Sequence, residues 1–245
     1  MTNAEANAPA DGRHRAFDIV VAELERMIFD EVEIGAALPS EGELARSLGV
    51  SRLTVREAVR KVETRGLIEI SRGRRPIVAA PNGAAIGDFF DDAVRRDPRT
   101  LLELLDIRQA LEVHIAALAA TRATRANIAM LDAAITDMEQ ANENPDPFHA
   151  ADLRFHEALA AATHNGLLAV LLQSLAAPLR ASRVRSYAGH IERRLPVTTT
   201  ISQHRAITDA VRAGDPREAS AAMRRHLKQT ERDLTAALLG PSQAK

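Results

Sequence analysis

The sequence predicts a mainly α-helical protein in two parts: a small N-terminal unit of helices closed by a β-hairpin, and a larger all-α bundle of seven helices. Three observations carry this. The chain has 245 residues, above the usual span of one domain. Its apolar content of 46% contains only 3% aromatics and no Trp, so Ala, Leu, Val and Ile must fill the cores, as suits close-packed helices. The third observation is order: strand signals occur once, within residues 67–79, and everything beyond Pro81-Asn82-Gly83 repeats at helical spacing.

Residues 1–13 are polar and Ala-rich and read as a disordered tail. In 14–30, Phe17, Val20, Val21, Leu24 and Ile28 recur at helical spacing. Ser40 and Glu43 form an S-x-x-E capping box opening a short helix that Gly49 stops. Ser51 caps a longer helix over 52–65, with Val55, Val59 and Val62 inward and Gly66 at its end. Leu67–Ile70 and Ile77–Ala79 flank a Gly-containing turn and read as a hairpin. Helix, short helix, turn, longer helix and hairpin is the order of a winged helix-turn-helix over residues 14–80. After the 81–83 linker, helical segments are predicted near 84–96, 99–121, 124–142, 147–162, 166–187, 197–213 and 216–238, with a tail at 239–245. Pro178 falls inside the fifth and is expected to kink it.

The net charge of −1 gives no global sign of nucleic acid, but its distribution does. Eight basic residues stand against three acidic ones between Arg52 and Arg75. Arg52, Arg56 and Arg60 form one stripe beside the Val stripe, where a recognition helix meets the major groove. Arg can bond guanine O6 and N7 in pairs, and Ser51 and Thr54 can reach phosphates or base edges. Arg72, Arg74 and Arg75 occupy the hairpin tip around Gly73. The expected partner is double-stranded DNA, read by a homodimer on a short inverted repeat.

Cys is absent, which excludes a thiolate metal site. Asp152 and His156, at i and i+4, share a helix face, while His204 and His226 lie in the last two segments. One carboxylate and three imidazoles directed into a bundle suit Zn²⁺, with Ni²⁺ or Mn²⁺ as alternatives, and leave coordination positions open. A competing set exchanges one of these for His149. His14, His114, His164 and His190 are read as structural or exposed. No apolar run approaches the length of a membrane span and no leader pattern precedes the first helix, so a cytoplasmic protein without membrane contact is expected.

Two resemblances sharpen this reading. Leu38-Pro39-Ser40-Glu41, Leu44-Ala45, Leu48 through Arg52, Thr54 through Ala58 and Gly66-Leu67-Ile68 resemble the GntR family of transcription regulators. The resemblance implies DNA contacts from Arg52, Thr54, Arg56 and Gly73. It departs at Gly42, where the family commonly carries Arg. Asp152-x-x-Phe155-His156-x-x-Leu159, Asn165, His204-x-x-Ile207 and Met223-x-x-His226-Leu227 are similar to the FCD ligand-binding domain of the FadR branch. This implies that Asp152, His156, His204 and His226 bind a divalent metal, and that Arg108 and Asn165 line the pocket of an organic-acid effector. The function expected is a repressor released by a small carboxylate: a sugar acid, hydroxy acid or dicarboxylate. The alternative is a metal-dependent hydrolase or isomerase using the Asp/His₃ ion, against which stands the lack of a general base beside the metal.

Overall fold

A computed structural model describes residues 8–141, 144–193 and 196–239. The chain divides into two compact units between Ala85 and Ile86.

The first unit begins with α1 (Ala8–Arg26), which runs into a single π-helical turn at Met27–Glu31. The helix thus starts inside the stretch expected to be a tail, whose first seven residues lie outside the described ones. Next come α2 (Glu41–Leu48) and α3 (Arg52–Thr64). Ser40 Oγ accepts from the Glu43 N–H while Glu43 accepts from the Ser40 N–H, so two otherwise unpaired donors at the start of α2 are satisfied reciprocally. Gly49 ends α2 in the left-handed region at φ +65°, a conformation that costs glycine no Cβ clash. Strands β1 (Ile68–Glu69) and β2 (Ile77–Val78) pair antiparallel, Ile68 opposite Val78, and Ala37 bridges to Ile77. Val20, Leu24, Leu38, Val55, Val59, Val62 and Ile68 are buried in one core, each stabilising the fold by roughly 1.5–3 kcal/mol.

The second unit contains eight helices among the described residues: α4 (Ala84–Arg96, its first two residues belonging to the first unit), α5 (Thr100–Arg122), α6 (Arg125–Gln140), α7 (Pro145–Ala161), α8 (Gly166–Ser174), α9 (Ala176–Glu192), α10 (Val197–Arg212) and α11 (Pro216–Leu239). α5 is central, packed on α11 and contacting α7, α9 and α10. Its Leu101, Leu104, Leu105, Ile115, Ala116 and Ala119 are buried, as are Arg108 and Glu112.

The extra helix comes from a break where one kinked helix was expected. α8 and α9 meet at 59° around Leu175, and Pro178 lies in the first turn of α9. Proline has no N–H to offer the carbonyl four residues earlier, which here is Ser174. That freed carbonyl lies 2.7 Å from where a Cβ on Gly87 would be, so α4 approaches it closely only because residue 87 is glycine. No single helix among the described residues is long and apolar enough to cross a membrane.

Candidate DNA-reading face and metal centre

On the first unit, Ser51, Arg52, Arg56 and Arg60 are exposed along α3, and Arg72, Gly73 and Arg74 are exposed at the hairpin tip. Ser51 caps α3 through Oγ, which accepts from the Thr54 N–H at 3.1 Å and exchanges a 2.8 Å hydrogen bond with Thr54 Oγ1. Thr54 is buried, and this contact ties its hydroxyl to the helix cap. Arg56 Nε stands 3.2 Å from Glu41 Oε2, and Arg75 Nη2 stands 3.0 Å from Glu43 Oε1. Both pairs are solvent-exposed, where ion pairs contribute about 0–1 kcal/mol, so a phosphate can displace them. Gly42 leaves bare backbone beside Arg52, whose Nη2 would lie 3.5 Å from a Cβ there. A Cβ there would make only ordinary van der Waals contact with the end of that side chain.

In the second unit, α7 carries Asp152 and His156 one turn apart, α10 carries His204 and α11 carries His226. All four are buried, and one ligating atom from each can be chosen so that all lie within 4.8 Å of one another. His149 is buried on the same helix but stands outside this group, resting against Tyr187 with ring centroids 5.2 Å apart.

The outer nitrogen of each imidazole has an acceptor. His204 Nδ1 is 2.8 Å from the Thr200 carbonyl, His226 Nδ1 is 3.1 Å from Gln203 Oε1, and His156 Nδ1 is 2.5 Å from Glu112 Oε2. A proton on each Nδ1 leaves the lone pair on Nε2, the arrangement in which acceptors around a metal orient its histidines. His156 Nε2 and His204 Nε2 are fully buried with no hydrogen-bond partner, as is His156 Nδ1, which faces Glu112 only as an ion pair; His204 Nε2 lies 3.0 Å from Asp152 Oδ1. Orphaned buried nitrogens are costly, so the cluster is built for something that accepts their lone pairs. The donor set fits a divalent cation of the zinc type.

Electrostatics agree. Burial holds His226 and His156 below the usual imidazole range, and the neighbouring rings push His226 further down, so both favour the neutral form that can ligate. Burial would raise the Asp152 carboxyl, but the Arg183 guanidinium, then His204 and His156, hold it well below the usual range. Arg108 and His156 do the same for Glu112.

Beside the cluster lies a cavity of about 40 Å³ whose lining includes Arg108, Asp152, Arg183 and His226, together with His149 and Tyr187. Arg108 donates from Nε to Glu112 Oε1 at 2.6 Å, while its buried Nη1 is unpartnered. Arg183, paired with Asp152, keeps Nη1 and Nη2 buried without hydrogen bonds. Asn165 is not among the lining residues: its Oδ1 caps α8, accepting from the Leu167 and Leu168 N–H groups. Sequence reasoning missed Arg183, and gave Glu112 no role. One available signal was the face Leu179, Ser182, Arg183, Ser186, Gly189 and His190, a helical stripe of small and polar residues that is buried.

His190, expected to be structural or exposed, is structural. It is buried between two acceptors, with Nδ1 3.0 Å from Asp233 Oδ2 and Nε2 3.1 Å from the Pro196 carbonyl. Only the imidazolium satisfies both. Burial alone would lower its pKa, but the bonds to Asp233 and Pro196 and the Asp233 charge outweigh it and raise the value, with Arg193 opposing. A raised folded value means stability that is fully present below the unfolded imidazole value and is lost as pH rises through the folded one. In metal-free protein, the melting temperature of His190→Gln is expected to fall furthest behind wild type near pH 6, and the gap should close with rising pH. A gap independent of pH in calorimetry removes the imidazolium assignment.

Comparison with known proteins agrees with both halves of this picture. Residues 18–78 match the bacterial regulatory proteins of the gntR family, and residues 103–229 match the FCD domain. The chain belongs to the GntR family of transcription regulators, in its FadR-like branch with an FCD domain. It is 34% identical over 230 residues to the Glc operon transcriptional activator of Escherichia coli (strain K12), covering 91% of each protein. It is 31% identical over 204 residues to the Galactonate operon transcriptional repressor of the same strain, covering 80% of this chain and 86% of the relative. Among solved structures, Streptococcus agalactiae GntR superposes with a TM-score of 0.69 at 28% identity, covering 88% of this chain and 99% of that one. The protein is thus a DNA-binding transcription regulator. Its family is not one of enzymes, which removes the hydrolase or isomerase alternative.

Proposed function

We propose that the protein is a cytoplasmic repressor that releases DNA when a small carboxylate binds over a divalent metal, zinc in the first instance, held by Asp152, His156, His204 and His226. The observation that carries this is one cavity lined by two buried guanidinium groups, Arg108 and Arg183, and by Asp152 and His226, which share a buried cluster with the unpartnered imidazole nitrogens of His156 and His204. A metal and two arginines present positive charge and spare donors, which a carboxylate complements on both counts. One relative is a repressor of a galactonate operon, which supports an acid effector; another is an activator, so direction of control varies among relatives. Asn165 serves the site by holding the start of α8 rather than by touching the acid.

DNA is read by Arg52 and Arg56 on α3, positioned by Ser51 and Thr54, with Arg72, Gly73 and Arg74 reaching backbone or minor groove. The protein acts as a homodimer on a short inverted repeat. Exposed Leu167, Leu171, Val184 and Ile191 on α8 and α9 supply apolar surface suited to a second copy. The effector weakens DNA binding only by the factor by which it prefers the released state.

Fluorescence anisotropy of metal-loaded protein on its operator tests the scheme. Small hydroxylated acids are expected to release wild-type protein. Arg56→Ala should lose about 1–3 kcal/mol of specific binding, whereas Arg74→Ala should weaken all sequences evenly. Full affinity and selectivity in Arg56→Ala, or indifference of wild type to every acid, defeats it.

A further inference from the structure

The cavity has an unusual wall for a site that receives an acid. Asp233 lines it, together with Gln229 and Thr230, on the helix that also supplies His226. Asp233 follows His226 by seven residues, so the two share a face of α11 about 10 Å apart along its axis. Arg108, Arg183, Asp152 and His226 also line the cavity, and Asp233 lies about two helical turns from His226 along α11.

Asp233 is not consumed by pairing with the cavity's arginines, because the fold gives it other partners. Arg193 Nη1 donates to Oδ1 at 2.6 Å, Gln229 Nε2 donates to the same oxygen at 2.9 Å, and His190 Nδ1 donates to Oδ2 at 3.0 Å. Neither His190 nor Arg193 lines the cavity. A carboxylate offers about four acceptor positions, of which three are filled by these donors. What remains accepts a hydrogen bond and cannot give one. A ligand hydroxyl can satisfy it; a second ligand carboxylate brings no proton to it.

We propose that Asp233 is a specificity determinant of the effector cavity, an acceptor that admits hydroxylated monocarboxylates and disfavours dicarboxylates of the same length. This rests on the reading of the cavity as the effector site. The acid end is held at the metal and arginines, and a hydroxyl further along the chain donates to Asp233. Gln229, whose Nε2 is bonded to Asp233, is placed to receive the next hydroxyl through Oε1.

The test is calorimetric titration of zinc-loaded full-length protein with two matched sets of acids: glycerate, propionate and malonate, then gluconate, hexanoate and adipate. In at least one set, the hydroxylated monoacid is expected to bind about ten-fold or more tightly than both partners. Asp233→Asn should shrink the preference over the dicarboxylate, because the amide can donate to a carboxylate. Gln229→Leu leaves the His190–Asp233 pair in place and should weaken the hydroxylated acid about three-fold or more without helping the dicarboxylate. Wild-type protein that binds the dicarboxylate at least as tightly as the hydroxylated acid overturns the proposal, whatever the variants do. So does an unchanged preference in both folded variants. If none of the six acids binds, the effector reading falls and the proposal falls with it.

Discussion

His204→Ala is expected to lose the bound divalent ion and the response to small acids together, while still binding DNA. His204 is fully buried in the cluster and supplies one of its four candidate ligands. Removing a group that merely orients a ligand commonly weakens metal binding about 10–100-fold, and removing a ligand itself should cost at least as much. The acid response follows because the metal supplies much of the positive charge at that end of the cavity. DNA affinity in the absence of acid should stay within about three-fold of wild type, because α3 and the hairpin belong to the other unit. His149→Ala is the informative control: its ring is only one turn before Asp152 on the chain, yet it stands outside the cluster. Elemental analysis should find about one ion per chain in wild type and in His149→Ala, and a deficit in His204→Ala. A full complement in His204→Ala, or none in wild type purified without chelators, rejects the site.

That experiment separates two readings which the sequence left open, and the reason is instructive. Asp152 and His156 are legible as a pair because i, i+4 spacing places them on one face of a helix. His149, three residues before Asp152, satisfies nearly the same rule, so periodicity alone could not choose. The choice is made by the rotation of α7, which buries His149 against Phe148 and Tyr187 instead. Helix starts were legible for a similar reason. Ser40 and Glu43 act within one turn, and the capping box follows from local chemistry. Pro178 was legible as a disturbance but not as a break at Leu175, because the outcome depends on α4 placing Gly87 against the freed carbonyl.

The polar partners of the cavity were the least legible. Arg183 pairs with Asp152 across helices, and His190 meets Asp233 from 43 residues away. No local pattern announces such pairs, since a buried arginine in a helix reads as a surface residue until its partner is known. The same holds for Glu112, four residues after Arg108, which reads as an ordinary helix pair. Burial turns it into the link between Arg108 and His156. The winged unit was easier because its features are local caps, local turns and a single stripe on α3.

Gly189→Ala is expected to be the most destabilising small change in the second unit. Gly189 is buried on α9 where that helix crosses α11, and a Cβ there would fall inside the van der Waals radius of the Asp233 carbonyl oxygen. The obstacle is helix backbone, which cannot turn aside as a side-chain tip can, so α9 and α11 must separate. Separation also lengthens the neighbouring contacts of His190 and Arg193 with Asp233, which hold the two helices together. Overpacking of this kind costs about 1–3 kcal/mol and sometimes more, and the lost contacts place this case at the upper end. For a unit of this size, about 3 kcal/mol lowers the melting temperature by roughly 6–12 °C. Gly166→Ala supplies the comparison, since a Cβ on Gly166 meets nothing within 4 Å and its backbone is not left-handed. That variant should melt within about 1 °C of wild type or slightly above it, because alanine narrows the unfolded ensemble. Calorimetry of both variants without added metal decides the point. If Gly189→Ala melts with wild type, the close crossing of α9 and α11 is wrong, and Asp233 loses the framework that holds its carboxylate in the cavity wall.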